Sequence, residues 1–92
     1  MIKLTGAITF TSAVDICQDG LQYIKTGPEK LVFNFEGVTH VDSSCLSVMI
    51  TWYREAENLG KSIMFSHVPE QVNALSKICH LHFLNDHFIV NS

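Results

Sequence analysis

Three short segments of the chain have the pattern of β-strands. Residues 2–5 form the first of them. Residues 31–35 are apolar at four of their five positions, which is typical of a central strand covered on both faces. Residues 62–66 form the third. Gly6 and Gly37 mark the turns that are expected to end the first and second strands.

Two other segments carry apolar residues at the spacing of an amphipathic helix. The first predicted helix begins at Ser12, where Asp15 three residues later resembles a capping box, and it ends at Gly27. The last predicted helix begins with Pro69 in its first turn. The predicted buried stripes are Val14, Cys17, Leu21 and Ile24 in the first helix and Val72, Leu75, Ile78 and Cys79 in the last. Residues 88–90 predict either a final strand or a segment packed on the last helix.

The middle helix is predicted from about residue 43 to residue 59, with Gly60 as its C-terminal cap. It carries two apolar stripes. The first, which is expected to face the sheet, consists of Leu46, Met49, Ile50 and Tyr53. The second consists of Cys45, Val48, Trp52, Ala56 and Leu59. A surface helix needs only one such stripe, so the second is either a partner surface or a face covered by a neighbouring helix.

The order of these elements predicts a single α/β domain over residues 1–92, with a small, mostly parallel sheet and helices packed mainly on one face. Apolar residues make up 47% of the chain, enough for a globular core. The three cysteines form no C-x-x-C pair, which indicates reduced thiols in the cytoplasm. We see no signal peptide and no apolar run of about 18 residues, so membrane association is expected only through a partner.

Candidate chemistry follows the second strand, where Asp42, Ser43 and Ser44 open the middle helix. A helix N-terminus has backbone N–H groups without helical partners and the positive end of the helix dipole, so it tolerates an anion such as a phosphoryl group. These residues are therefore a candidate phosphorylation or partner-switch site. The alternative is simple N-capping by Asp42 or Ser43, which would give them no further role.

The sequence lacks the motifs of the common enzyme classes. It contains no G-x-S-x-G, no Walker motif and no G-x-G-x-x-G. Cys79, His80, His82 and His87 match no standard zinc spacing, and we expect them to lie at a partly exposed helix end with no metal. A net charge of −3 without basic clusters argues against nucleic acid. We therefore expect no enzyme activity and no cofactor.

Residues 4–10 read Leu-Thr-Gly-Ala-Ile-Thr-Phe, and residues 41–46 read Val-Asp-Ser-Ser-Cys-Leu. Together with residues 31–35, 60–65, 68–72 and 81–84, these segments resemble, in order, a STAS domain. The second segment resembles the family signature D-[ST]-[SAG]-G-L, with Cys45 where the family has Gly. The resemblance implies the STAS fold and a non-catalytic role in protein binding.

Two branches of the STAS family fit the chain. Its opening segment and the exit from its third strand favour the MlaB-type branch, the STAS subunit of the Mla phospholipid-transport ABC system. That resemblance implies a cytoplasmic subunit held at the inner membrane by the transporter ATPase. We expect the ATPase to dock on the start of the middle helix and on its second stripe, at Ser43, Ser44, Cys45, Val48 and Trp52. The other branch is the anti-sigma factor antagonists, in which a kinase-type anti-sigma factor would phosphorylate a serine next to Asp42. A third hypothesis is a STAS module that senses a small ligand or a lipid. The second apolar stripe of the middle helix could also mediate self-association, so the sequence does not decide between a monomer and a homodimer.

Overall fold

The computed structural model describes residues 1–89 and confirms the predicted alternation of strands and helices. The elements are β1 (Ile2–Ile8), α1 (Ala13–Thr26), β2 (Lys30–Val41), α2 (Ser44–Asn58), β3 (Ser62–Ser66), α3 (Glu70–Ile78) and α4 (His82–Asn85). The short α4 has no counterpart in the sequence prediction. Phe88 forms one isolated parallel bridge with Phe65 in place of a full strand, and residue 90 of the predicted segment lies outside the described residues.

The three strands form a parallel sheet in the order β1-β2-β3, so β2 is central. Right-handed connections between successive parallel neighbours place α1 and α2 on one face of the sheet. Leu31, Phe33 and Phe35 of β2 are buried and belong to the core on that side. The fold is therefore the small α/β domain that the sequence predicts, with helices packed mainly on one face.

Both glycines predicted to end strands lie inside strands. Gly6 has φ +77, a conformation in which glycine is favoured, and the register of β1 against β2 shifts beside it. Gly37 pairs with Thr5, and a Cβ there would lie 2.9 Å from the carbonyl oxygen of Leu4. The turn predictions at Gly6 and Gly37 are therefore wrong, because these glycines accommodate an irregular register and a close strand approach.

The ends of the helices follow the prediction only in part. α2 ends as predicted: Gly60 has φ +68, and its N–H and that of Lys61 donate to the carbonyls of Glu57 and Ala56. Ser12 precedes α1 but makes no capping bond, since its hydroxyl instead accepts from the Thr9 N–H and donates to the Ala7 carbonyl. The capping-box prediction at Ser12 is wrong.

The predicted stripes of α1 and α3 are only partly buried. Ile24 of α1 and Val72 of α3 are fully covered, but Val14 is 70% exposed and Ile78 is 72% exposed. Cys79, which was predicted to be buried, follows the end of α3 and is exposed. The polar Ser76, which was not part of the predicted stripe, is buried. Pro69 lies just before α3 and not in its first turn. Helical spacing predicted these helices correctly but not the limits of their buried faces.

The second stripe of α2 belongs to the core. Trp52 is fully buried, its ring stacks on Phe33 at a centroid distance of 4.3 Å, and its Nε1–H donates to the carbonyl of Cys17 at 3.0 Å. Cys45, Val48 and Ala56 are buried as well, and only Leu59 of this stripe is exposed. The reading of this stripe as an exposed partner surface is therefore wrong, because α1 covers it.

Candidate functional site

The carboxylate of Asp42 joins two loops at one edge of the sheet. Its Oδ2 accepts from the Phe10 N–H at 3.0 Å, and its Oδ1 accepts from the Ser44 N–H at 2.8 Å. Phe10 follows β1 and Asp42 follows β2, and the carboxyl ends of neighbouring parallel strands meet at the same edge. Asp42 therefore links the loop before α1 to the start of α2.

These hydrogen bonds stabilise the ionised form of Asp42. The Phe10 amide, followed by the Ser44 amide, holds the pKa of the Asp42 carboxyl below its ordinary value. The carboxylate therefore stays ionised at neutral pH. A group added at Ser43 or Ser44 would lie next to this fixed negative charge.

The first N–H groups of α2 already have acceptors. Ser44 donates to the Asp42 side chain, Cys45 to the Asp42 carbonyl at 3.0 Å, and Leu46 to the Ser43 carbonyl at 3.2 Å. Ser43 occupies the N-cap position and is exposed, but its side chain makes no capping bond. Asp42 thus supplies the cap, and a phosphoryl group on Ser43 would have to compete with it for these N–H groups.

Cys45 occupies the place of the family's glycine, but its side chain is directed into the protein. It is fully buried, and its Sγ lies 3.9 Å from the Sδ of Met49. Burial, together with the charge of Asp42, raises the pKa of the Cys45 thiol to about 12. The cysteine therefore adds no bulk to the surface at the start of α2.

An exposed apolar groove lies between the N-terminal halves of α1 and α2. Its volume is about 370 Å³, and we call it the α1–α2 groove, lined by Phe10, Ala13, Val14, Cys17, Gln18, Ser44, Ser47, Val48 and Thr51. Phe10 is 83% exposed and Val14 70%, whereas Val48 is 5% exposed. Large apolar side chains that remain in water beside a groove are typical of a protein-binding surface.

The predicted site residues separate into two groups. Asp42, Ser43 and Ser44 lie together at the start of α2, and the nearly buried Val48 lines the α1–α2 groove. Cys45 and Trp52 are buried and face the core. Phe10 was not predicted as a site residue, and Val14 was predicted to lie in the buried stripe of α1. The available signal for Phe10 was a large aromatic residue in the loop between a strand and a helix.

Other kinds of site find no support in the part of the chain that the structure describes. Within residues 1–89, the side chain of His82 excepted, no three His, Cys, Asp or Glu side chains are grouped so that they could hold a metal ion. No helix in the same range has the length and apolar character required to cross a bilayer.

The comparisons with known proteins agree with this fold. The family model described as "Mlab, STAS domain" matches residues 1–86. The structure of the anti-sigma factor antagonist SpoIIAA in its unphosphorylated form is similar, with a TM-score of 0.64 and 17% identity over 82% of this chain and 69% of that one. A sulfate transporter family protein from Wolinella succinogenes has a TM-score of 0.71 and 18% identity over 95% of this chain and 72% of its own.

No individually curated protein matches the chain. The two solved structures share the fold with it at low identity, and the family model covers nearly all of its residues. STAS domains are typically non-catalytic modules that mediate protein–protein interactions. The chain belongs to the MlaB-like STAS domain family.

Proposed function

We propose that the chain is a non-catalytic subunit that binds and supports the cytoplasmic ATPase of an Mla-type phospholipid-transport ABC transporter. The observation that carries this proposal is the match of the MlaB-like family model over residues 1–86. Such a subunit lies on the cytoplasmic side and meets the membrane only through the transporter.

The α1–α2 groove has the properties required of the ATPase-binding surface. Phe10 and Val14 supply exposed apolar area, and hydroxyl side chains of α2 form a polar rim, namely Ser44, Ser47 and Thr51. Interfaces combine an apolar centre with such a rim, and a few large apolar side chains contribute most of the binding free energy. The exposed Ser43 lies next to this groove at the start of α2.

Affinity purification of the tagged chain from its native cell tests the proposal. We expect an ABC ATPase and its permease to co-purify with the wild type. Val14→Asp should abolish their recovery, because it places a charge in the groove, and Ser43→Glu should reduce it. Ile78→Asp is the matched control, since Ile78 is also an exposed aliphatic residue on a helix but lies on α3.

The alternative partner is a kinase-type anti-sigma factor. Ser43 favours this candidate, because it is exposed at the start of α2 and its hydroxyl makes no capping bond. In that case a histidine-kinase-like protein would co-purify, and it would phosphorylate the chain in the presence of ATP. Mass spectrometry of wild type, Ser43→Ala and Ser44→Ala would locate the phosphate. Recovery of such a kinase without an ABC ATPase would overturn the transporter proposal.

A further inference from the structure

Hydrogen bonds of two kinds hold the loop between β1 and α1. Within the loop, the N–H groups of Ser12 and Ala13 donate to the carbonyl of Thr9, at 3.0 and 2.8 Å. The Phe10 N–H is instead directed to the loop between β2 and α2, where it donates to Oδ2 of Asp42 at 3.0 Å. The backbone of Phe10 is therefore held by a residue of a different loop.

The side chain of Phe10 gains little support from packing. It is 83% exposed, so contacts of its ring with the rest of the chain contribute little to its position. Surface loops are also more mobile than the elements that they connect. A hydrogen bond at the Phe10 N–H restricts the backbone from which the ring projects, and it therefore limits the directions that the ring can take.

Asp42 is itself held at two further points. Its Oδ1 accepts from the Ser44 N–H at 2.8 Å, and its own N–H donates to the carbonyl of Ile8 at 3.3 Å. Ile8 is the last residue of β1 and is fully buried. Asp42 therefore connects Phe10 both to the end of the sheet and to the start of α2.

The carboxylate of Asp42 binds two residues of the α1–α2 groove without lining the groove itself. Phe10 and Ser44, whose N–H groups donate to the carboxylate, are both lining residues of the groove, whereas Asp42 is not. Asp42 can therefore affect the groove without contact with an occupant. A contact residue that is already in place in the free protein loses less conformational freedom on binding, and this raises the affinity.

We propose that Asp42 is a positioning residue of the ATPase-binding surface and that it acts on binding through Phe10. Its carboxylate holds the Phe10 backbone, so that the aromatic ring lies at the rim of the α1–α2 groove before the partner binds. This inference rests on the proposed function, because it assigns the groove to the ATPase. The alternative role, a cap of α2 alone, requires only the bond to Ser44.

A double-mutant cycle separates positioning from capping. Asp42→Ser removes the acceptor of the Phe10 N–H but keeps a hydroxyl at the start of α2, and serine caps helices about as well as aspartate. Phe10→Ala removes the ring but keeps the N–H that donates to Asp42. The dissociation constants of the wild type, both single variants and the double variant are measured by calorimetric titration with the ABC ATPase that co-purifies from the native cell.

We expect Phe10→Ala to weaken binding at least about tenfold, because it removes a large contact side chain. Asp42→Ser should weaken binding at least about fivefold when Phe10 is present, because the ring must then be ordered on binding. When residue 10 is alanine, the same change should weaken binding less than about twofold, because no ring is left to position. Asp86→Ser, which removes an exposed acid outside the groove, is the matched control for the loss of charge and should bind like the wild type.

Equal losses of affinity from Asp42→Ser in the two backgrounds would overturn the proposal, since a cap acts on binding independently of the Phe10 ring. A Phe10→Ala variant that binds like the wild type would overturn it as well. If a kinase-type anti-sigma factor co-purifies in place of the ATPase, the proposed function fails. The same cycle with that protein then still decides whether Asp42 acts through Phe10.

Hydrogen exchange of the free chain, followed by NMR, tests the positioning without a partner. The Phe10 amide should exchange at least about threefold faster in Asp42→Ser than in the wild type, because it loses its acceptor. The amide of Ala13, which donates to the Thr9 carbonyl, is the internal reference and should keep its rate. Equal rates for Phe10 in the two proteins, both shown to be folded by urea denaturation, would overturn the proposal.

Discussion

The two helices that cover the sheet meet tightly in one region and separate in another. At the middle of α1, Gly20 is buried against Trp52, and a Cβ on Gly20 would lie 2.2 Å from the indole ring. Towards the N-terminal ends a groove opens between the helices, and Phe10 and Val14 are exposed beside it while Val48 is nearly covered. The closed region is a helix–helix contact of the core, and the open region is the α1–α2 groove.

Apolar side chains of similar size thus have different roles in the two regions. In the closed region their burial contributes to the free energy of unfolding. In the open region they contribute little to stability, so their apolar surface is available to a partner. Substitutions should therefore affect stability strongly at Trp52 and binding at Val14.

Trp52→Ala should have the largest effect on stability. Removal of the indole leaves a cavity next to Phe33 and removes the hydrogen bond to Cys17, so we expect a loss of about 3–5 kcal/mol in the free energy of unfolding, measured by urea denaturation. Leu59→Ala, in the same stripe but exposed, is the control and should cost less than about 1 kcal/mol. Equal losses in the two variants would contradict a closed contact at Trp52.

Gly20→Ala should have the next largest effect on stability. Alanine is favoured over glycine in a helix by about 1 kcal/mol, but here its methyl group would force the helices apart, and we expect a net loss of about 1–3 kcal/mol. Gly20→Ala should reduce the free energy of unfolding by less in a Trp52→Leu background, because the smaller leucine side chain leaves room for the added methyl group. Additive losses in the double variant would show that the two residues do not contact each other.

Asp42→Asn should alter the pH dependence of stability. The pKa of Asp42 is lowered in the folded protein, so its contribution is present above the unfolded value of 3.8 and is lost as the pH falls through the lower folded value. Urea denaturation over a series of acidic pH values should show a smaller acid-induced loss in Asp42→Asn than in the wild type. Identical pH profiles would mean that the bonds to Phe10 and Ser44 contribute nothing.

Phe10→Ser and Val14→Ser should have the smallest effect on stability. Both side chains are largely exposed, so each substitution should change the free energy of unfolding by no more than about 0.5 kcal/mol. Binding of the partner should nevertheless weaken. A loss of stability comparable to that of Gly20→Ala would show that these side chains are packed and would remove the contrast between the two regions.

Local patterns predicted the elements and the start of the site. The third strand was predicted at its observed limits, and Gly60 at its observed role after α2. Asp42 was recognised because an acidic residue after a strand and before a helix is a common cap. Its second hydrogen bond, to Phe10, could not be predicted, because it depends on how β1 and β2 align.

Predictions from these local patterns were wrong where the burial of a side chain or the end of a strand depends on a residue far away in the sequence. Trp52 has the spacing of a partner-facing residue, and only the absence of a side chain on Gly20 allows α1 to cover it. Gly37 is the type of residue that ends a strand, but β1 approaches it closely and β2 continues. β2 likewise continues beyond its last pair with β3, Asn34 with Ser66, because the chain turns at His67 directly after β3.

The sequence alone determined the order of the elements, the parallel α/β fold and the position of Asp42 at the start of α2. These features depend on periodicity and capping, which act between residues a few positions apart. The tertiary structure decided which apolar stripe is covered, which side chains line the α1–α2 groove and where the pairing of β2 with β3 ends. Those features depend on contacts between elements far apart in the chain, and the spacing of residues within one element does not contain them.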